Sequence, residues 1–316
     1  MTGEPDLGTI TRVTAVIEPG AKADGSRFRA HLALTKPRII ELLLVTAIPT
    51  MFLAADGLPT LTITVAVLVG GALSAGGANT LNSVYDRDID ALMHRTQARP
   101  AAVGSISVRA GVVQGIVLSL LSAVVLAWLT NWLAAALSIV AIAMYVLGYT
   151  MILKRRTSQN IVWGGAAGCM PVLIAWSAVT GGLSATPIVL FLIVFFWTPP
   201  HYWPLAMKYR DDYANAGVPM LPVVRNDVQV AASVIRYSWV MVAVSLALVW
   251  VAPMGWVYGV TALAVGAVFI VMAYRLQSAA RRDDVNINDT AMRLFHWSIT
   301  YLSLLFLAVA IDPFIG

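Results

Sequence analysis

Residues 79–100 read NTLNSVYDRDIDALMHRTQARP and follow directly on an apolar run of membrane-spanning length. Asn82, Asp86 and Asp90 recur every fourth residue, which on a helix puts all three on one face, with Asn79 one turn behind. Asp88 points away from that face. Close carboxylates raise one another's pKa unless a cation sits among them. Their oxygens are hard ligands, and Mg²⁺ takes a few of these together with the phosphate oxygens of a substrate. Arg95 and Arg99 follow, residues suited to anion recognition. The pattern is that of a site for a metal-bound diphosphate at a membrane edge. A plainer account is a charged helix end that stops at the membrane surface. It covers Arg95, Arg99 and Asp88 but gives no reason for an acidic stripe beside hydrocarbon.

The rest of the chain supplies the membrane. Of its 316 residues 59% are hydrophobic and 12% charged, and the mean hydropathy of +0.78 is that of a polytopic membrane protein. Apolar runs near 39–55, 61–78, 110–129, 132–152, 160–180, 186–206, 233–252, 255–275 and 294–314 predict an all-α bundle of nine transmembrane helices. A soluble bundle would need polar outward faces, which these runs lack.

Charge supports the count. The 21 Lys and Arg residues fall in the N-terminal region, in the connections after spans two, four, six and eight, or at the edges of those spans. The alternate connections, ADGLPT, LTNW, TGGLSAT and APMG, hold none. The positive-inside rule then makes the N-terminus cytoplasmic and the C-terminus extracytoplasmic. The basic pI near 9.5 reflects orientation and anionic-lipid contact rather than nucleic-acid binding. Residues 1–34 are expected to be a disordered cytoplasmic tail and residues 35–316 the membrane domain. The tail lacks an apolar signal core and carries Glu4, Asp6, Glu18 and Asp24, unlike an acid-poor transit peptide, so the expected location is a bacterial inner (plasma) membrane. The single Cys169 reads as a packing residue.

Other polar residues invite two readings each. Glu41, one turn inside span one, either has a partner or snorkels to the interface. Gly70-Gly71 and Gly76-Gly77 read as close helix contacts. Lys154-Arg155-Arg156 either anchors span four or grips a diphosphate. Span six ends in WTPPHYWP (197–204), whose prolines predict a kinked or broken helix. His201 within it either ligates iron or donates a hydrogen bond in packing. Asp211 and Asp212 form a second acidic site. Acidic segments after spans two and six, and basic ones after four and eight, hint at two four-span halves plus a ninth helix.

The spacing Asn82-x₃-Asp86-x₃-Asp90 resembles the first aspartate motif of the UbiA-type intramembrane prenyltransferases. KPRIIELLLVT (36–46), DRDIDALMHRTQARP (86–100), YTMILKRRTSQNIVWGGAAG (149–168) and TPPHYWPLAMKYRDDYANAGVPMLPVV (198–224) together are similar to the haem-farnesylating, or haem O synthase, branch of that family. Two departures from the wider family fit that branch. The usual second Asp-x₃-Asp is replaced by adjacent Asp211 and Asp212, with Lys208 four residues before Asp212 and Asn215 four after Asp211. The usual Tyr-x₃-Lys becomes Tyr149-x₄-Lys154.

The resemblance implies farnesyl transfer from farnesyl diphosphate to a vinyl group of haem B, giving haem O for the terminal oxidases, with a haem A synthase as possible downstream partner. It implies Mg²⁺ held by Asn82, Asp86 and Asp90, and a second Mg²⁺ on Asp212 with Asp211. Asp86, Asp90 and Asp212 become the catalytic carboxylates; Arg95, Arg99, Lys154 and Arg155 contact the diphosphate, and His201 contacts haem. Two alternatives stay open on the residues alone: prenylation of an aromatic quinone precursor, and a transporter or haem carrier.

Overall fold

The computed structural model describes residues 24–252 and 254–315, and among these it is all-helical, without strands. Side chains of residues 24–26, 38, 39 and 41–43 fall outside the description, and with them the question of a partner for Glu41. The first helix, α1 (Asp24–Leu34), lies in the segment expected to be tail. It is docked: Leu34 is buried with Ala101 and Ile106, and Gln114 Nε2 donates to the His31 carbonyl at 3.0 Å. Residues 1–23 of that expected tail lie outside the described residues.

The apolar runs become helices α2 (Pro37–Ala55), α3 (Leu61–Tyr85), α5 (Val108–Leu129) and α6 (Trp132–Ala143) in the first part of the chain. They continue as α7 (Asn160–Thr180), α8 (Ala185–Lys208), α11 (Asp227–Val251), α12 (Trp256–Arg281) and α13 (Ile287–Ile311). Short helices α4 (Arg87–Leu92), α9 (Arg210–Asn215) and α10 (Leu221–Val224) sit in the connections. Among the described residues eight helices are long and apolar enough to cross a membrane, α6 counted together with its continuation to Leu153. The remaining expected span is α2, of which Leu44–Ala55 counts as a shorter apolar helix. This is a multi-pass membrane protein.

Helix starts are set by local chemistry. Thr60, Ser107, Asn131 and Asn226 each accept the amide N–H three residues on, at 3.4, 3.2, 2.9 and 2.9 Å. Each side chain satisfies an amide that a helix start otherwise leaves without a partner. The prolines of span six do not break it: α8 runs uninterrupted through Pro199, Pro200 and Pro204. Burial of this stretch against α7, α11 and α13 outweighs the backbone hydrogen bonds the prolines remove.

Packing groups spans one to five and spans six to nine, rather than four, four and one. Helix α2 meets α3, then α3 meets α5, α5 meets α6 and α6 meets α7, which returns to α2. Helices α8, α11, α12 and α13 close a second ring, and α7·α8 and α13·α2 contacts join the two. The α3·α5 crossing depends on glycine. A Cβ on Gly77 would lie 2.9 Å from the Gly115 carbonyl oxygen, and one on Gly115 only 2.5 Å from Leu81 Cγ. Without Cβ atoms the two backbones approach closely, the means of helix association where the hydrophobic effect is absent.

One segment departs from α geometry. After Ala143 the sixth helix continues as a π-helix, Met144–Leu153. Lys154 N–H donates to the Tyr149 carbonyl, five residues back, at 2.8 Å, and Thr150 Oγ1 donates to the Tyr145 carbonyl at 2.9 Å. Five residues therefore make about the turn that four make in an α-helix. Tyr149 and Lys154, one residue too far apart for one α-helical face, share a face here.

Candidate functional site

The acidic stripe survives the end of α3. Asp86 N–H donates to the Asn82 carbonyl at 2.9 Å and Asp90 N–H to the Asp86 carbonyl at 2.8 Å, so the helical register passes through Asp86 into α4. Asn82, Asp86 and Asp90 are buried, at 3%, 0% and 1% exposure. Charges so buried need partners, and the partners arrive from elsewhere in the chain. Lys154 donates to Asp86 Oδ2, and Arg155 approaches Asp86 Oδ1 at 3.5 Å. Arg99 reaches both oxygens of Asp90, at 3.0 and 2.8 Å. Asn82 donates to Asp86 at 2.6 Å and to Thr150 Oγ1 at 3.1 Å. Asn79, one turn earlier, donates to the Thr35 carbonyl at 3.0 Å.

Asp88 lies off the stripe, as its spacing requires. It is exposed and pairs with Arg155 through two bonds of 2.7 Å. The guanidinium holds its carboxyl below the usual range. Arg155 is thus shared between Asp88 and the buried Asp86.

Lys36, quoted above only within KPRIIELLLVT, is a residue of the site that the sequence reading did not single out. Its Nζ donates to Asn82 Oδ1 at 2.6 Å. Burial, with Arg99 and Lys154 close by, pulls its ammonium down to about 7. Lys36 also has φ 54°, in the left-handed region, which costs a side-chain-bearing residue about 1–2 kcal/mol. The signal in the sequence was the position itself, a lysine directly before the proline that opens α2. A residue before proline is ordinarily extended; Lys36 instead turns through the left-handed region.

Arg95 lies on another wall. It donates to Tyr213 Oη at 2.8 Å, and its guanidinium sits 5.1 Å from the Tyr209 ring centre and 5.4 Å from that of Tyr213. Tyr213 Oη is 3.0 Å from Tyr202 Oη. Asp212 is buried, but its carboxylate accepts the backbone N–H groups of His94 and Arg95 at 3.3 and 3.4 Å. It braces the segment that carries Arg95. Asp211 is exposed.

Part of this cluster forms one end of a cavity of about 510 Å³, with Asp86 and Arg155 behind the residues that line it. Lys36, Asn82, Asp90, Arg95, Arg99 and Lys154 line its polar end, and Tyr145, Tyr149 and Tyr202 line it too, with apolar residues of α2, α7, α8 and α13. Tyr149 reaches its place because α7 has glycine at 164, where a Cβ would lie 2.2 Å from Tyr149 Cδ2. His201 also lines the cavity, whereas His296 is exposed and His94 enters the cluster through its backbone.

The donor set fits Mg²⁺ in one particular way. Among the described residues no three His, Cys, Asp or Glu side chains form a group able to hold an ion. Two buried carboxylates and one amide oxygen face a cation-rich wall instead. Mg²⁺ is commonly held by one or two carboxylates completed by substrate phosphate oxygens. Three cations crowded beside those carboxylates would be relieved by a multiply charged anion.

Comparison with known proteins agrees with this geometry. Residues 43–299 match the UbiA prenyltransferase family. The chain is 55% identical over 296 residues to a protoheme IX farnesyltransferase of Streptomyces avermitilis, covering 94% of this chain and 97% of the relative. It is 52% identical over 302 residues to the protoheme IX farnesyltransferase of Leifsonia xyli, covering 95% and 97%. Two solved structures share the fold at low identity. One, from work on digeranylgeranylglyceryl phosphate synthase, has a TM-score of 0.74 at 15% identity, covering 91% of this chain and 99% of that one. The other, a UbiA homolog from Archaeoglobus fulgidus bound to GPP and Mg²⁺, has a TM-score of 0.63 at 19% identity, covering 89% and 99%.

Proposed function

This chain belongs to the UbiA prenyltransferase family, and from that premise we propose that it transfers the farnesyl group of farnesyl diphosphate to a vinyl group of haem B. The product is haem O. The observation that carries this reading is a single cavity of about 510 Å³ inside the bundle, lined by cations at its polar end and by apolar walls elsewhere. The activity for which relatives at 55% and 52% identity are named supplies the acceptor.

The residues have separable tasks. Asn82, Asp86 and Asp90 hold Mg²⁺, with Asp211 and Asp212 as the site of a second ion if Asp212 is released from the amides of His94 and Arg95. The ion supplies Lewis-acid stabilisation of the leaving diphosphate. Lys154 and Arg99, which bond to Asp86 and Asp90, would be free to contact the diphosphate once Mg²⁺ neutralised those carboxylates. With Lys36, Arg95 and Arg155 they take up the charge that grows as the allylic C–O bond breaks and its electron pair passes to the diphosphate. The vinyl π electrons then bond to the farnesyl C1. The carbocation left beside the porphyrin ring takes up water and releases a proton. The apolar walls keep water from the first cation until the vinyl group has reacted. His201 contacts the haem.

Purified protein given haem B, farnesyl diphosphate and Mg²⁺ is expected to form a more hydrophobic haem, heavier by one farnesyl group and one hydroxyl. EDTA should stop the reaction and added Mg²⁺ restore it. Unaltered haem together with prenylation of an aromatic carboxylic acid would favour the quinone-precursor alternative. Unaltered haem that is instead moved across vesicles would favour a carrier.

We also propose that the polar end faces the cytoplasm of a bacterial cell, at its plasma membrane, because that is where the positive-inside rule puts the basic connections. Single cysteines at Leu58, Trp132, Leu183 and Trp256, in a Cys169→Ser background, should react with an impermeant reagent added outside. Cysteines at Ala98, Arg156, Asn215 and Asp284 should react only after the membrane is opened. One reversal would refute the orientation or the span count.

A further inference from the structure

Ser298 on α13 is buried and meets α8 twice. Its carbonyl accepts the indole N–H of Trp197 at 2.8 Å, and its Oγ lies 2.6 Å from His201 Nδ1. The same Oγ lies 2.5 Å from the carbonyl oxygen of Phe295, one turn back on α13. A hydroxyl has one proton. Both contacts are hydrogen bonds at once only if Ser298 donates to Phe295 and His201 donates its Nδ1–H to Ser298. The imidazole is then the Nδ1–H tautomer, and its lone pair is on Nε2.

The ring faces are covered as well. Trp197 stacks on His201 with centres 4.1 Å apart and planes within 15°, and Phe295 stacks at 4.7 Å and 27°. Trp197, His201 and Phe295 all line the cavity. With both faces covered and Nδ1 engaged, what remains to meet a ligand is the ring edge that carries Nε2. A histidine used for packing alone needs no particular tautomer. A metal-ligating histidine does, and usually donates its other N–H to an acceptor that also fixes the ring plane.

We propose that Ser298 is a positioning residue that holds His201 in the Nδ1–H tautomer and so presents the Nε2 lone pair to the cavity as an axial ligand for haem iron. This rests on the haem reading above. It separates the two substrates: iron ligation seats the acceptor porphyrin at the α8–α13 wall independently of the diphosphate, which is held by Lys36, Arg95, Arg99, Lys154 and Arg155.

The test uses the full chain in lipid nanodiscs. Ferric haem B, iron-free protoporphyrin IX and farnesyl diphosphate are titrated separately into wild type and into Ser298→Ala, Ser298→Thr and His201→Gln variants. Ser298→Ala should weaken haem binding about 10- to 100-fold and change the Soret band. Ser298→Thr, which keeps the hydroxyl, should restore both, and His201→Gln should lose the ligation signature. Protoporphyrin IX and farnesyl diphosphate affinities should not move in any variant. Equal losses for haem and for iron-free porphyrin would assign His201 and Ser298 to packing and overturn the proposal. So would an unchanged Soret band and haem affinity in Ser298→Ala. If wild type neither binds nor farnesylates haem, it is the functional reading that fails; if it does both while Ser298→Ala matches it, only the role of Ser298 fails.

Discussion

Asp86→Asn and Asp90→Asn are each expected to lower farnesyl transfer at least about 100- to 1,000-fold, the scale of losing one preorganised electrostatic contact to a developing charge. Both side chains are buried, at 0% and 1% exposure, and both are already engaged by cations, Asp90 by Arg99 and Asp86 by Lys154. Asparagine keeps the size and one acceptor oxygen but removes the charge that holds a dication and neutralises Lys154 or Arg99. A surface aspartate would tolerate the change. Asp88→Asn is the internal control: Asp88 is exposed and pairs with Arg155 outside the stripe, so its loss should leave turnover within a few-fold of wild type, as expected for an exposed ion pair. The measurement is haem O formation at saturating substrates across a Mg²⁺ titration, normalised to folded protein. Wild-type turnover in both stripe variants would exclude the stripe from the reaction. A loss fully rescued by excess Mg²⁺ would confine its role to metal affinity.

Lys36→Gln should fall nearly as far, about 100-fold in kcat/KM, because it removes one charge-assisted contact to the leaving diphosphate. Lys36 bonds to Asn82 and lines the polar end of the cavity beside Arg99 and Lys154. Glutamine can still donate to Asn82, so folding should be retained. Lys36→Arg should recover part of the rate, since the charge returns in a different shape. If Lys36 only anchors the start of α2 at the membrane surface, both variants would turn over like wild type. Binding of farnesyl diphosphate, measured apart from haem, should weaken in Lys36→Gln while haem binding stays the same. That separates this residue from His201.

The two predictions differ in how they were reached. The stripe was legible in one dimension. Asn82, Asp86 and Asp90 stand four apart, and a helix turns such spacing into a face whatever surrounds it. Asp88 was read off that face for the same reason, and the structure has it outside with Arg155. Lys36 was not legible, because its partner is 46 residues away on another helix. Arg99 and Lys154 were legible as cations near the site. Their division, Arg99 to Asp90 and Lys154 to Asp86, was not. Asp212 was read from its neighbour Asp211 as half of a metal pair. The fold turns its carboxylate onto two backbone amides more than a hundred residues earlier in the chain.

What the sequence determined by itself is whatever depends on local composition and period. The apolar runs mark the crossings, the alternation of basic connections with ones that hold no Lys or Arg predicts their sidedness, and the i, i+4 spacing makes the acidic face. Each is a free energy of one segment in its solvent, water or hydrocarbon, and needs no knowledge of the other segments. What only the tertiary structure decided is which groups meet. Gly77 and Gly115 bring α3 and α5 close together. The π-helix absorbs the extra residue between Tyr149 and Lys154 and so delivers Lys154 to Asp86. Ser298 sets the proton on His201 from a helix 97 residues away. Such pairings depend on backbone distances of a few ångströms between helices remote in sequence, and a buried charge or lone pair takes its role from the partner that packing brings to it.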